Sequence, residues 1–193
     1  MPSMHEAIKI SLETADVKWA MQAASTSIGK WSGQAGYYNN RFDSHFKGKV
    51  GELAAEKYLL ENGHKLDSHF RFPDRENLSD LVVKIKRYTE VCRLEVKTWD
   101  AKYWHELGRC ISVAQYPDLK KKADIILWCV VDLKDVEALL KNPQEVTVSL
   151  AGWSKVEEIV NVPVKDTGIG GMRRIRNYQL LETDLHSMSE FML

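Results

Sequence analysis

The chain has 193 residues, 44% hydrophobic and 28% charged, an ordinary balance for a soluble domain long enough to bury a sizeable core. Lys plus Arg and Asp plus Glu both total 27, so the formal net charge is zero; a globally basic nucleic-acid binder is not indicated, and local charge has to carry any such case. The three cysteines, Cys92, Cys110 and Cys129, are odd in number and form no CxxC pair, which argues against a disulfide framework, a cysteine-rich zinc site or an iron–sulfur cluster and for buried thiols in a reducing compartment.

Residues 4–24 lack Gly and Pro and are predicted as a helix. Residues 25–44, rich in Ser, Gly, Asn and Tyr, read as a loop. A stronger helix is predicted over 46–62, where Val50, Leu53, Ala54, Tyr58 and Leu59 recur at helical spacing and Asn62-Gly63 forms the stop. Residues 64–77 are polar and irregular. Two strands, 81–86 and 91–98, flank a short polar turn and predict a hairpin; 109–115 is expected as a third strand. Residues 118–122 read as a helical turn whose Lys120-Lys121-Lys122 run is expected on a solvated face. The continuously apolar 124–131 predicts a strand buried on both faces. A short helix over 134–140 and an alternating strand over 145–153 follow. After Pro163, Gly168, Gly170 and Gly171 flank the basic group Arg173, Arg174 and Arg176. An edge strand over 178–180 and a short helix over 184–188, capped by Thr183 or Asp184, complete the chain. This order suggests an α/β sandwich around a mixed sheet. No stretch approaches about 18 apolar residues and no apolar leader opens the chain, so a cytosolic protein without membrane contact is expected.

The chemistry concentrates in Leu94-Glu95-Val96-Lys97-Thr98. Residues i and i+2 of a strand share a face, so Glu95 and Lys97 project together, opposite Leu94 and Val96. A charged pair on a buried face is costly unless compensated, and one compensation is a cation with a polyanionic substrate. Asp80 opens the first hairpin strand and lies across from Glu95. Glu52 sits in a helix beside Gly51, Ala54 and Ala55, small residues that let it pack closely on a sheet. Carboxylates select hard cations such as Mg²⁺ or Mn²⁺, and such an ion with a lysine suits phosphodiester hydrolysis.

Glu52 in Lys49-Val50-Gly51-Glu52-Leu53-Ala54, then Asp80, then Glu95-x-Lys97, with Gln115 after the next strand, resembles the PD-(D/E)XK nuclease superfamily over residues 45–135. The resemblance implies a restriction-endonuclease-like core, a central mixed four- to five-stranded sheet with helices on both faces. It implies Asp80, Glu95 and, through water, Glu52 as metal ligands, assisted by the Val96 carbonyl. Lys97 would position or activate water, and Gln115 would support the site. One departure is that the literal Pro-Asp is Pro73-Asp74, in a polar stretch with no strand behind it; its plain reading is a turn, and Asp80 is preferred.

Lys47 and Lys49 are expected to meet phosphates near a helix N-terminus, and Arg173, Arg174 and Arg176 to grip the nucleic-acid backbone from a Gly-rich loop. The segment 99–105 mixes aromatics and cations, which suits either a nucleic-acid surface or core packing. The expectation is therefore one domain of 193 residues: a helical extension and loop to residue 44, a catalytic core over 45–135, and C-terminal strands, basic loop and short helix over 136–193. The expected activity is Mg²⁺-dependent DNA cleavage, endonucleolytic rather than exonucleolytic, by a compact phage-type enzyme in the host cytosol, as a homodimer where both strands are cut. The alternatives are an inactive nuclease-fold DNA-binding or assembly protein, and an exonuclease or a structure-selective or RNA-directed nuclease.

Overall fold

A computed structural model describes residues 7–30, 41–72, 78–84, 91–168 and 174–191. Its elements are β1 (Ile8–Leu12), α1 (Thr14–Lys30), α2 (Arg41–Glu61), β2 (Lys65–Ser68), β3 (Leu81–Lys84), β4 (Val91–Asp100), α3 (Ala101–Trp104), β5 (Cys110–Ser112), α4 (Tyr116–Lys122), β6 (Ile125–Val131), α5 (Val136–Lys141), β7 (Val146–Lys155), β8 (Val164–Thr167) and β9 (Ile175–Gln179). Asp74, the 87–90 turn, Gly170, Gly171 and Arg173 lie outside the described residues.

The described strands form a six-stranded mixed sheet in the order β1-β7-β6-β4-β3-β2 and a three-stranded sheet in the order β5-β9-β8. Among the described strands, only the β4–β6 pairing is parallel. The α/β class and the mixed sheet agree with the sequence expectation, but the main sheet is wider than four or five strands. The extra width comes from β1 and β2. Ile8, Ile10 and Leu12 alternate with Lys9 and Ser11, and this period-two pattern pairs with β7 where a helix over 4–24 is expected. The helix begins only at Thr14, with the Asp16 carboxylate accepting the Glu13 N–H at 3.1 Å, and runs to Lys30, into the expected loop. Helix α2 starts five residues before its expected bound and stops where expected. Gly63 takes φ 75° there, and the Gly63 and His64 N–H groups donate to Leu60 and Leu59 carbonyls.

Two apolar layers cover the main sheet. On one face Leu94, Val96, Leu127 and Cys129 pack against Val50, Leu53 and Ala54 of α2, with α1 on α2. On the other face Ile126 and Trp128 pack against Leu119 of α4, Ile111 of β5, Leu180, and Val156 and Ile159 of a 3-10 segment. That second face is thus covered by helical segments, α3 through Trp104, α4 through Leu119 and the 3-10 segment, with Ile111 of the small sheet beside them. The expected third strand is β5, which belongs to that small sheet, and the expected edge strand near 178 is its central strand β9. In place of one helix over 184–188, two 3-10 turns, Glu182–Asp184 and Met188–Phe191, flank a bridge from His186 to Trp153.

One feature of register positions the site. Strand β3 pairs with β4 only from Leu81↔Leu94 to Lys84↔Val91. Strand β4 then continues along β6 to Asp100↔Val131. Among the described residues, its other edge carries no strand beyond Leu94.

Candidate active site

Three elements bring carboxylates to this bare edge. Asp80 immediately precedes β3, and its Oδ2 accepts the Val96 N–H at 2.8 Å. The carboxylate takes the place a ladder partner would occupy. A strand residue's N–H and C=O leave on the same side, so the Val96 carbonyl shares that edge. Glu95 and Lys97 stand on the sheet face opposite α2, with Lys97 Nζ 2.7 Å from Glu95 Oε1.

Glu52 reaches the group from the α2 face. Gly51 makes this approach possible: a Cβ there would lie 1.8 Å from Thr98 Oγ1 and 3.0 Å from Thr98 Cβ. The Cys129 thiol points at the Gly51 carbonyl at 3.9 Å. The helix backbone therefore rests directly on β4 and β6, and Glu52 follows it in.

Burial dominates the electrostatics. It pushes the Glu52 carboxyl up to about 8, with Asp80 adding to the rise and Lys49 opposing it. It pushes Asp80 up to about 6, reinforced by Glu95 and opposed by Lys97 and the Val96 N–H. Glu95 resists the same burial because Lys97 and Lys122 outweigh it, and its carboxyl lies below the usual range. Burial lowers Lys97, yet Glu95 and Asp80 more than offset it and hold the ammonium charged. Mutual shifts of this kind mark one electrostatic unit.

The structure thus brings Glu52, Asp80, Glu95 and Lys97 together. Lys49 joins them, its Nζ 2.6 Å from Glu52 Oε2. Lys47 instead pairs with Asp100 at 2.6 Å. Helix α2 starts at Arg41, so both lysines lie beyond its first turn rather than at its N-terminus, and each is paired with a carboxylate. Gln115 is exposed at the N-cap of α4, and its side chain makes no hydrogen bond to the carboxylates; the short β5 ends before it can be carried to them. Arg174 and Arg176 are exposed beside or on β9, Arg176 opposite Asp166, and neither pairs with the group. Of the 99–105 segment, Trp104 is buried and Trp99 packs against the same cluster, which favours core packing there.

Lys122 is the member that the sequence reading missed. It departs from the solvated face expected for the basic run: its Nζ lies 2.9 Å from Glu95 Oε1 and 2.7 Å from Oε2, the latter an ionic contact off the hydrogen-bond axis. A usable signal exists. Leu119 is buried, and i to i+3 residues share a helix face, so Lys122 flanks the buried stripe while Lys120 and Lys121 point outward.

Among the described residues, no group of three His, Cys, Asp or Glu side chains forms a ready metal cage; lysines hold Glu52 and Glu95 instead. The cysteines form no disulfide, and burial pushes the Cys110 and Cys92 thiols up to about 11 and about 12, far from thiolate chemistry. No helix among the described residues is long and apolar enough to cross a membrane. Comparison of the chain with protein-family models, curated proteins and solved structures finds no match.

Proposed function

We propose that this chain is a metal-dependent nuclease that hydrolyses DNA phosphodiester bonds, with endonucleolytic cleavage favoured. The observation that carries this reading is the convergence of Glu52, Asp80, Glu95 and Lys97 from three elements on the bare edge of β4. The order β2-β3-β4-β6, with α2 across one face, is compatible with a restriction-endonuclease-like core.

The donor chemistry suits a hard cation, although the described side chains are not spaced as a ready cage. Glu52, Asp80, Glu95 and the Val96 carbonyl offer oxygen only, as Mg²⁺ and Mn²⁺ prefer. Two of these carboxyls are raised by burial, a penalty that a bound divalent ion relieves. Once bound, such an ion polarises the scissile phosphate and acidifies water. Occupancy requires Lys49 to yield Glu52 and the lysines at Glu95 to share it.

The chain's own groups do the remainder. Lys97, steered by Glu95, presents an ammonium that orients the attacking water and offsets charge developing on the phosphate. In the metal-free protein at pH 7, Glu52 keeps its proton. Asp80 and Glu95 then face the three ammoniums of Lys49, Lys97 and Lys122, an excess of positive charge that suits a phosphodiester. A single such site cuts both DNA strands only as a homodimer or by sequential nicking.

The test is digestion of plasmid and labelled oligonucleotides with Mg²⁺, with Mn²⁺ and with EDTA. Cleavage is expected with either ion and none with EDTA, and loss of roughly a thousandfold or more in Lys97→Ala and Asp80→Asn. Cleavage that persists in EDTA, or survives either substitution, overturns the assignment. DNA binding without cleavage on every substrate favours an inactive nuclease-fold binding protein.

A further inference from the structure

The superfamily resemblance gives no task to Lys122, the lysine that holds Glu95 from another element. Lys122 lies at the last residue of α4. We propose that Lys122 is a positioning residue: it shares Glu95 Oε1 with Lys97 and also reaches Oε2, fixes the plane of that carboxylate, and competes with a bound cation for it. The proposal rests on the nuclease reading above.

The geometry carries it. Glu95 is only 5% exposed, and both of its oxygens lie within 2.9 Å of Lys122 Nζ. A carboxylate held by one ammonium can swing about its last bond, whereas one held by two ammoniums from different elements cannot. The grip is itself anchored. Arg93 forks onto Asp124 with contacts of 2.6 and 3.1 Å and also donates to the Lys121 carbonyl at 2.6 Å. These bonds tie the end of α4 to the start of β4, the strand that bears Glu95. The neighbouring lysines have no such role: Lys121 pairs with Asp118 where both side chains are largely exposed.

Two consequences pull in opposite directions. Removal of Lys122 leaves Glu95 poorly oriented, so the chemical step slows. The same removal deletes a like charge that a metal ion must displace, so the ion binds more tightly. A plain structural ion pair has neither signature.

The experiment compares wild type with Lys122→Gln, Lys122→Arg and the control Lys121→Gln. It measures single-turnover cleavage of labelled duplex, Mn²⁺ affinity by electron paramagnetic resonance titration without DNA, and thermal melting by circular dichroism. Lys122→Gln is expected to cleave roughly tenfold or more slowly and to bind Mn²⁺ roughly threefold more tightly. Lys122→Arg is expected to recover most of the rate, and Lys121→Gln to match wild type throughout. If Lys122→Gln does not fold, Lys122→Met, which keeps the aliphatic stem, takes its place with the same expectations. Wild-type cleavage by Lys122→Gln, or weaker Mn²⁺ binding together with a lowered melting temperature, overturns the proposal alone. A wild type that neither cleaves nor binds Mn²⁺ overturns the nuclease reading, and this proposal with it.

Discussion

Glu52 and Glu56 stand one turn apart on α2, with side chains 12% and 10% exposed, yet their surroundings differ in kind. Glu56 accepts from the Ser68 hydroxyl and from the Arg71 guanidinium, through Nε at 2.8 Å and through Nη2. The fork is braced because the Arg71 guanidinium lies over the Trp19 ring, 4.9 Å from its centroid. Among the described residues Glu52 accepts from Lys49 alone, and it feels Asp80 and Glu95 as like charges. Burial alone therefore does not single out a functional carboxylate. What distinguishes Glu52 is that its surroundings leave it under-compensated, whereas those of Glu56 satisfy it.

The largest effect that breaks this comparison is expected at Glu52. Glu52→Gln should lower Mg²⁺-dependent cleavage about a hundredfold or more. It should also change how stability follows pH in EDTA. The unfolded Glu52 carboxyl ionises near 4.5 and the folded one near 8. Between those values the native state holds the extra proton, so wild-type stability falls as pH rises, by roughly a few kcal/mol, and levels off above 8. Asp80, raised from 3.8 to about 6, has the same sign over its lower window. Glu95, lowered by its lysines, has the opposite sign: its stabilisation is present above 4.5 and is lost as pH falls through its folded value. Melting curves should therefore show wild type losing stability from pH 5 to 8, and Glu52→Gln flattened above pH 6.

Glu56→Ala should do the reverse, destabilising by about 2 kcal/mol while the cleavage rate of the folded fraction stays at wild type. The loss lies below that of a fully buried pair because the Arg71 side chain is 36% exposed; urea unfolding measures it. Gly51→Ala sharpens the contrast from the backbone side. The added methyl meets Thr98, which should cost about 1–3 kcal/mol and lower cleavage by displacing the Glu52 turn more than the Glu56 turn. The smallest effect is expected at Lys121→Ala, whose stability should stay within about 0.5 kcal/mol of wild type, because its ion pair is solvated.

Much of the site was legible because its members lie within strong local patterns. The helical spacing from Val50 to Leu59, the apolar run behind Asp80 and the alternation around Glu95 each place a side chain on a face without knowledge of a partner. Features that depend on a distant partner were less legible. Ile8–Leu12 alternates only briefly before a helix-prone stretch, and its strand identity is supplied by β7, well over a hundred residues later. Residues 110–112 have strand character, but nothing local assigns them to β9 in place of the main sheet. Lys122 resembled its two solvated neighbours because a triple lysine run hides which member is turned inward, and Arg93, which fixes that turn, is distant in sequence. The first aspartate, chosen as Asp80, is found at the bare edge through its bond to Val96.

That bond has a spectroscopic consequence. An amide proton in mid-strand ordinarily reports on the ladder around it, and its exchange with solvent measures the opening of the sheet. The Val96 proton is held by a side chain instead, so its chemical shift and exchange rate register the charge and position of Asp80. The backbone of β4 thereby contains its own indicator, one amide resonance that senses the state of the carboxylate group with no label attached and no substrate present.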